Sequence, residues 1–247
     1  MRETQKHALA LFDTALQGLA TSLLTMSSLA LRNLEGASRG LLNRDTTLCR
    51  LVVGDDAEVD DLERAVDYQA MQVLLRYSPV AEDLRIVLSS MRIASNLERV
   101  SDQAVRVARR ARKLNKRPEL LLTRTIEPLL GMAMELIRDG MKSFAERDIP
   151  LAQSVIARDQ ELDRAYHAFV RELTTGMEID PANIRTYLHL TFAARALERV
   201  GDCAVNIAEE VIFIREGGES RHAPRSRHTQ SDDDGSGQVE LDGDAWD

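Results

Sequence analysis

Residues 97–108 read LERVSDQAVRVA and residues 197–208 read LERVGDCAVNIA, with eight of twelve positions identical at an offset of one hundred residues. Self-similarity at a long fixed offset marks a duplicated structural unit, so the chain must fold as two related halves. Each copy carries two acids at i, i+4: Glu98 with Asp102, and Glu198 with Asp202. On a helix this spacing puts both carboxylates on one face, about one turn apart. Like charges so placed cost a helix about 0.2–0.5 kcal/mol per pair. Both copies bear that cost, so something in the folded protein must offset it.

The hydrophobic pattern around the repeats has the period of a helix throughout. Leu9, Phe12, Leu16, Leu19, Leu23, Met26, Ala30 and Leu34 recur at steps of three and four and predict a long amphipathic helix over 4–43. Asn43-Arg44-Asp45 breaks it, and a second helix over 46–76 carries Leu48, Leu51, Val52, Val59, Leu62, Val66, Met71 and Leu74. Ser78-Pro79 predicts a restart, with Ser as cap and Pro in the first turn, and a third helix over 80–115. The second half repeats the plan over 120–146, with a kink or restart at Pro128, then over 149–175 up to Gly176, and over 181–215 from Asp180-Pro181. Nothing alternates with the period of a strand. Short turns between long helices force antiparallel packing. The expected fold is therefore all-α: two tandem antiparallel three-helix bundles, residues 1–117 and 118–216.

From residue 217 on, Gly, Ser, Asp, Arg and Pro dominate and apolar side chains nearly vanish. The expectation there is a disordered acidic tail over 217–247, since such a segment buries too little to offset its ordering entropy. Its end, Val239–Trp246, holds the single tryptophan of the chain and is a candidate docking element. Nine acids against three arginines from Glu216 onward give the tail region −6, which leaves about −2 of the net −8 for the helical part. That balance gives no support to nucleic-acid binding as the main role.

Cys49 and Cys203 have no CxxC spacing, which argues against a disulfide framework and for a reducing, cytoplasmic setting; both, with Met26, Met71 and Met91, read as core residues. Thr14–Leu31 is uncharged but contains seven Ser, Thr or Gln, and its apolar residues form one stripe, so it reads as a buried helix rather than a membrane span.

A second acidic pair precedes each repeat block by one helix: Asp56 with Asp60, and Asp159 with Asp163. Neighbouring antiparallel helices pack about 8–10 Å apart. Counted from the shared turns at 1.5 Å per residue, the two pairs of each half fall at comparable depth. Four carboxylates drawn together repel, and a hard cation removes the repulsion. An all-oxygen donor set suits magnesium, calcium, manganese or iron more than zinc or copper. Asn206, at i+4 from Asp202, adds a neutral oxygen, and His167, at i+4 from Asp163, a nitrogen. The first copy differs: Ser101 stands for Gly201, and Arg106 stands for Asn206, placed to neutralise Asp102. The flanking arginines leave a second explanation open, in which the acids are salt-bridged helix surfaces contributing a few tenths of a kcal/mol each. A di-iron carboxylate enzyme would need Glu-x-x-His pairs, and neither block supplies one, because Glu98 is followed at i+3 by Ser101 and Glu198 by Gly201.

The two LERV-x-D blocks, with DDAEVDDLERAVDYQAMQVLLRYSPVAEDLR before the first and ARDQELD before the second, resemble the paired signature of the PhoU family of phosphate-signalling regulators. The resemblance covers about residues 8–215. It implies two tandem three-helix bundles and a regulator of phosphate uptake and starvation signalling, not an enzyme. It also implies multinuclear iron or zinc clusters held by Glu98–Asp102, Glu198–Asp202, Asp56–Asp60 and Asp159–Asp163. The partners it implies are the phosphate ABC transporter, a membrane sensor histidine kinase and a second copy of the chain. The alternative is a metal-free helical scaffold with solvated acidic ridges.

Overall fold

The structure, a computed structural model, describes residues 2–217, with side chains from Leu9 onward. The expectations for the tail and for Trp246 lie outside the described residues. Six helices follow in order: α1 (Arg2–Leu42), α2 (Thr46–Tyr77), α3 (Ala81–Leu114), α4 (Glu127–Glu146), α5 (Ile149–Ile179) and α6 (Ile184–Glu216). There is no strand among the described residues.

Local chemistry sets the joints. Arg44 takes the left-handed conformation, and Asp45 caps α2 by accepting from the backbone N–H groups of Thr47 and Leu48 at 2.9 and 3.0 Å. Asp148 caps α5 in the same way through Leu151 N–H at 2.9 Å. Ser78 behaves otherwise than expected: it closes α2 as a left-handed C-cap, and Val80 precedes α3 with no side-chain cap. Before Pro128 the chain forms a 3-10 turn over Leu121–Ile126, so α4 starts at Glu127 with Pro128 in its first turn. Gly176 does not end α5, which continues to Ile179. A Cβ at Gly176 would lie 2.6 Å from Cε1 of Tyr187, so its need for Gly is close packing against the start of α6 rather than a turn.

α1, α2 and α3 pack on one another, as do α4, α5 and α6, and the halves join through α3 against α6 and α1 against α4. One apolar cluster runs through both halves, with Leu19, Leu23, Met26, Leu34, Val59, Ile93, Leu97, Leu162, Leu190 and Leu197 all fully buried. Each such aliphatic side chain contributes about 1.5–3 kcal/mol by leaving water. By length and composition alone α1 could cross a membrane. Its stripe from Leu19 to Leu41 nevertheless lies in this core, and its outer face carries Thr21, Thr25 and Ser28, which donate to carbonyls one turn back. Cys49 and Cys203 are buried and free. Leu51 and Met71, expected in the core of α2, are more than half exposed.

The α3/α6 contact is antiparallel, because partners rise in number along α3 as they fall along α6. Ser89 and Arg92 meet Glu210, Asn96 meets Asn206, and Arg110 meets Phe192. Both repeat blocks therefore lie at the middle of the contact that joins the halves.

Candidate functional site

Asp56 and Asp60 on α2 lie alongside Glu98 and Asp102 on α3. Glu98 is raised from 4.5 to about 7, by burial first and then by the charges of Asp102, Glu63, Asp60 and Asp56. Asp56 is raised too: burial and the nearby Asp102 and Asp60 outweigh a hydrogen bond from Ser101 Oγ at 2.8 Å. Asn33 Nδ2 of α1 donates to Ser101 Oγ at 3.0 Å, so a chain of hydrogen bonds runs from α1 through α3 to the first acid of α2. Arg106 is exposed, and the arginine whose charge acts on Asp56 is Arg109.

The second half is built on the same plan. Glu198 on α6 is raised by burial, by Asp202 and by Asp163, while Arg195 and Arg199 pull the other way. Asp159 on α5 is buried against Gly201, where an added Cβ would lie 2.5 Å from its Oδ1. The absence of a side chain at 201 is thus what lets α5 bring this carboxylate up to α6. Asn206 Nδ2 donates to Asn96 Oδ1 at 3.0 Å, linking the halves. His167 is exposed, with its ring 5.2 Å from that of Tyr166.

Sequence reasoning missed Glu63. It falls on the ridge Asp56, Asp60, Glu63, Asp67, at i, i+4, i+7, i+11, a longer stripe than a single i, i+4 pair. Its carboxyl is raised by burial, by Asp67 and by Asp60, against a hydrogen bond from Ser95. The matching position on α5 is Tyr166, whose partner is Arg195, and Arg195 is the counterpart of Ser95. The repeats have thus diverged at one side-chain contact, from an acid with a hydroxyl to a phenol with a guanidinium. The first cluster is five acids with no arginine at that position, and the second is four acids with Arg195 among them.

In each half, then, acids of the two expected pairs act on one another across two helices. Among the described residues no group of three or more His, Cys, Asp or Glu is drawn up tightly enough to hold an ion as it stands. The donor chemistry of the second cluster nonetheless fits a hard cation. Glu198 Oε2 is buried with no hydrogen-bond partner among the described residues, and a buried carboxylate oxygen is costly unless something positive or protic meets it. The first cluster offers more charge but has already committed Asp56 to Ser101.

The comparisons with known proteins agree with this architecture. The PhoU domain model matches twice, over residues 23–111 and 126–211, which places one match on each half. The phosphate-specific transport system accessory protein PhoU homolog of Xylella fastidiosa is 36% identical over 221 residues, covering 90% of this chain and 91% of that protein. The phosphate-specific transport system accessory protein PhoU of Escherichia coli is 30% identical, covering 88% of this chain and 90% of its own length. The crystal structure of PhoU from Pseudomonas aeruginosa superposes with a TM-score of 0.81 at 34% identity, over 84% of this chain and all of that one. With both repeats matched and the same helical architecture in a solved relative, the chain belongs to the PhoU family.

Proposed function

We propose that this chain regulates phosphate uptake and phosphate-starvation signalling as a cytoplasmic adaptor. In this reading it works as a homodimer, contacts components of the phosphate ABC transporter and its sensor histidine kinase, and catalyses no reaction. The observation that carries the regulatory part is the extent of the match. Relatives named as phosphate-transport accessory proteins align over about nine-tenths of the chain, through both repeats and the α3/α6 contact between them.

We further propose that the acidic clusters hold metal, as a multinuclear iron or zinc centre. In the second half Glu198 and Asp202 of α6 with Asp159 and Asp163 of α5 would be the ligands, with Asn206 beside them. In the first half Glu98 and Asp102 with Asp56 and Asp60 would serve. A bound cation supplies positive charge that turns mutual repulsion into a brace between adjacent helices. The buried, unpartnered Oε2 of Glu198 supports this. The metal-free scaffold draws support from one feature, the Asn33–Ser101–Asp56 chain, which steadies a first-half acid without an ion.

The regulatory reading is tested in a bacterial host that lacks its own PhoU and carries a phosphate-starvation reporter. Expression of this chain should restore repression in phosphate-rich medium. A folded, expressed chain that leaves the reporter fully on would overturn it.

A further inference from the structure

At the end of the α3/α6 pair remote from Glu210, positive charge accumulates. Between Asp102 and Glu119 the sequence holds seven Lys or Arg and no acid. The charges of Arg109 and Arg112 act on Asp56 and Cys49 of α2. The charges of Arg110, Lys113 and Arg117, with that of Arg185, act on His189 of α6. Arg110 lies 4.4 Å over the ring of Phe192, one turn further along α6. Burial first, and then these four cations, push His189 down to about 4, so its ring is neutral at ordinary pH.

Two polar atoms in this region lack partners. His189 Nδ1 is closed off from solvent with no hydrogen-bond partner among the described residues, and so is the hydroxyl of Thr186, a residue only 1% exposed. Thr186 and His189 are i, i+3 neighbours on one face of α6. The helix follows directly on a 3-10 turn over Pro181–Asn183, whose Pro181 carbonyl accepts from Ile184 N–H, and Asn183 Nδ2 donates to Asp180 Oδ2 at 2.8 Å instead of capping α6. An ordinary charged surface interleaves signs, as where Arg32 meets Asp55 and Glu58 at 3.5 and 3.3 Å. Around His189 the charges that act most strongly on the ring are all positive.

We propose that the end of α3, with the turn that follows it, and the first turns of α6 form a binding site for a phosphate oxyanion. Arg117 and Arg185 would supply charge and forked donors, and Thr186 a hydroxyl. The ligand is either free inorganic phosphate or the phosphate of an anionic lipid headgroup. The site is separate from the carboxylate clusters and goes beyond the adaptor reading, so its failure leaves both untouched.

The test uses the full chain after chelator treatment, so that carboxylate-bound cations contribute nothing. Equilibrium dialysis with inorganic phosphate at low ionic strength should show saturable binding. The Arg117→Ala/Arg185→Ala double variant should bind at least tenfold more weakly, and Arg147→Ala should bind as the parent does, since Arg147 closes α4 and pairs at 3.4 Å with Glu82 at the opposite end of α3. In the parent protein, phosphate should shift the ring-nitrogen resonances of His189, a readout that needs no variant. A second arm replaces phosphate with phosphatidylglycerol vesicles in phosphate-free buffer. Vesicle binding that the double variant loses, without binding of free phosphate, assigns the site to a headgroup. Binding of neither probe, or binding that the double variant retains in full, overturns the proposal.

Discussion

Ser101 Oγ of α3 donates to Asp56 Oδ1 of α2 at 2.8 Å, whereas at the matching point of the second half Gly201 leaves Asp159 to press against bare backbone. One position thus decides how each half holds its first acid. Gly201→Ala should destabilise the protein. Helix propensity alone would favour Ala by about 1 kcal/mol. The new Cβ, however, would sit 2.5 Å from Asp159 Oδ1 and 2.6 Å from Leu162 Cδ2, both on buried residues. Overpacking of that kind costs about 1–3 kcal/mol, so the net change is a loss, read as a lower midpoint in urea. Ser101→Gly should lose about 1–2 kcal/mol from the broken hydrogen bond and the added backbone freedom.

Glu98 sets a pH dependence. Its carboxyl is held at about 7 in the fold against an ordinary 4.5. Below pH 4.5 the folded and unfolded chains are both protonated there, and the group costs nothing. Between 4.5 and 7 the unfolded chain releases a proton that the fold retains, so stability falls as pH rises, and above 7 the whole cost is present. Solvent screening reduces that cost to the order of 1 kcal/mol. Glu98→Gln should raise the urea midpoint at pH 8 and leave it nearly unchanged at pH 4, with chelator present. His189 titrates in an overlapping window with the opposite sign, since its lowered value makes acid destabilising. The difference between variant and parent is therefore the quantity to read.

Glu210 ties the halves together. It is 8% exposed, accepts from Ser89 Oγ at 2.7 Å and lies 3.4 Å from Arg92 Nη1. Glu210→Ala would leave a buried hydroxyl and a half-exposed guanidinium without their acceptor. The expected loss is about 1–3 kcal/mol in thermal unfolding, with Glu210→Gln costing less because it keeps an acceptor for Ser89.

The fold was legible because its signals are local and repeated. A period of three and four residues gave all six helices, and the caps Asp45 and Asp148 stand where their side chains can accept from the first turn. Misplaced joints trace to tertiary contacts: Gly176 reads as a stop but is kept small by Tyr187, and Ser78 reads as an N-cap but closes the preceding helix. The four acid pairs were legible in the repeat, and the helix rise put the two pairs of each half at comparable depth. Glu63 did not, because its partner Ser95 lies on another helix and its counterpart in the second half is Tyr166. The contact that carries Asn96, Asn206 and Glu210 was equally hidden, since nothing in either half alone tells which helix faces the other half.

The most direct test of the metal account is the metal content of the purified full chain, by mass spectrometry, in the parent and in the Glu198→Ala/Asp202→Ala variant. The account predicts bound metal in the parent, and loss of the second-half complement in the variant with the helical circular dichroism largely kept. Equal metal stoichiometry in the two proteins, or a parent free of metal under conditions that offer iron and zinc, would contradict it.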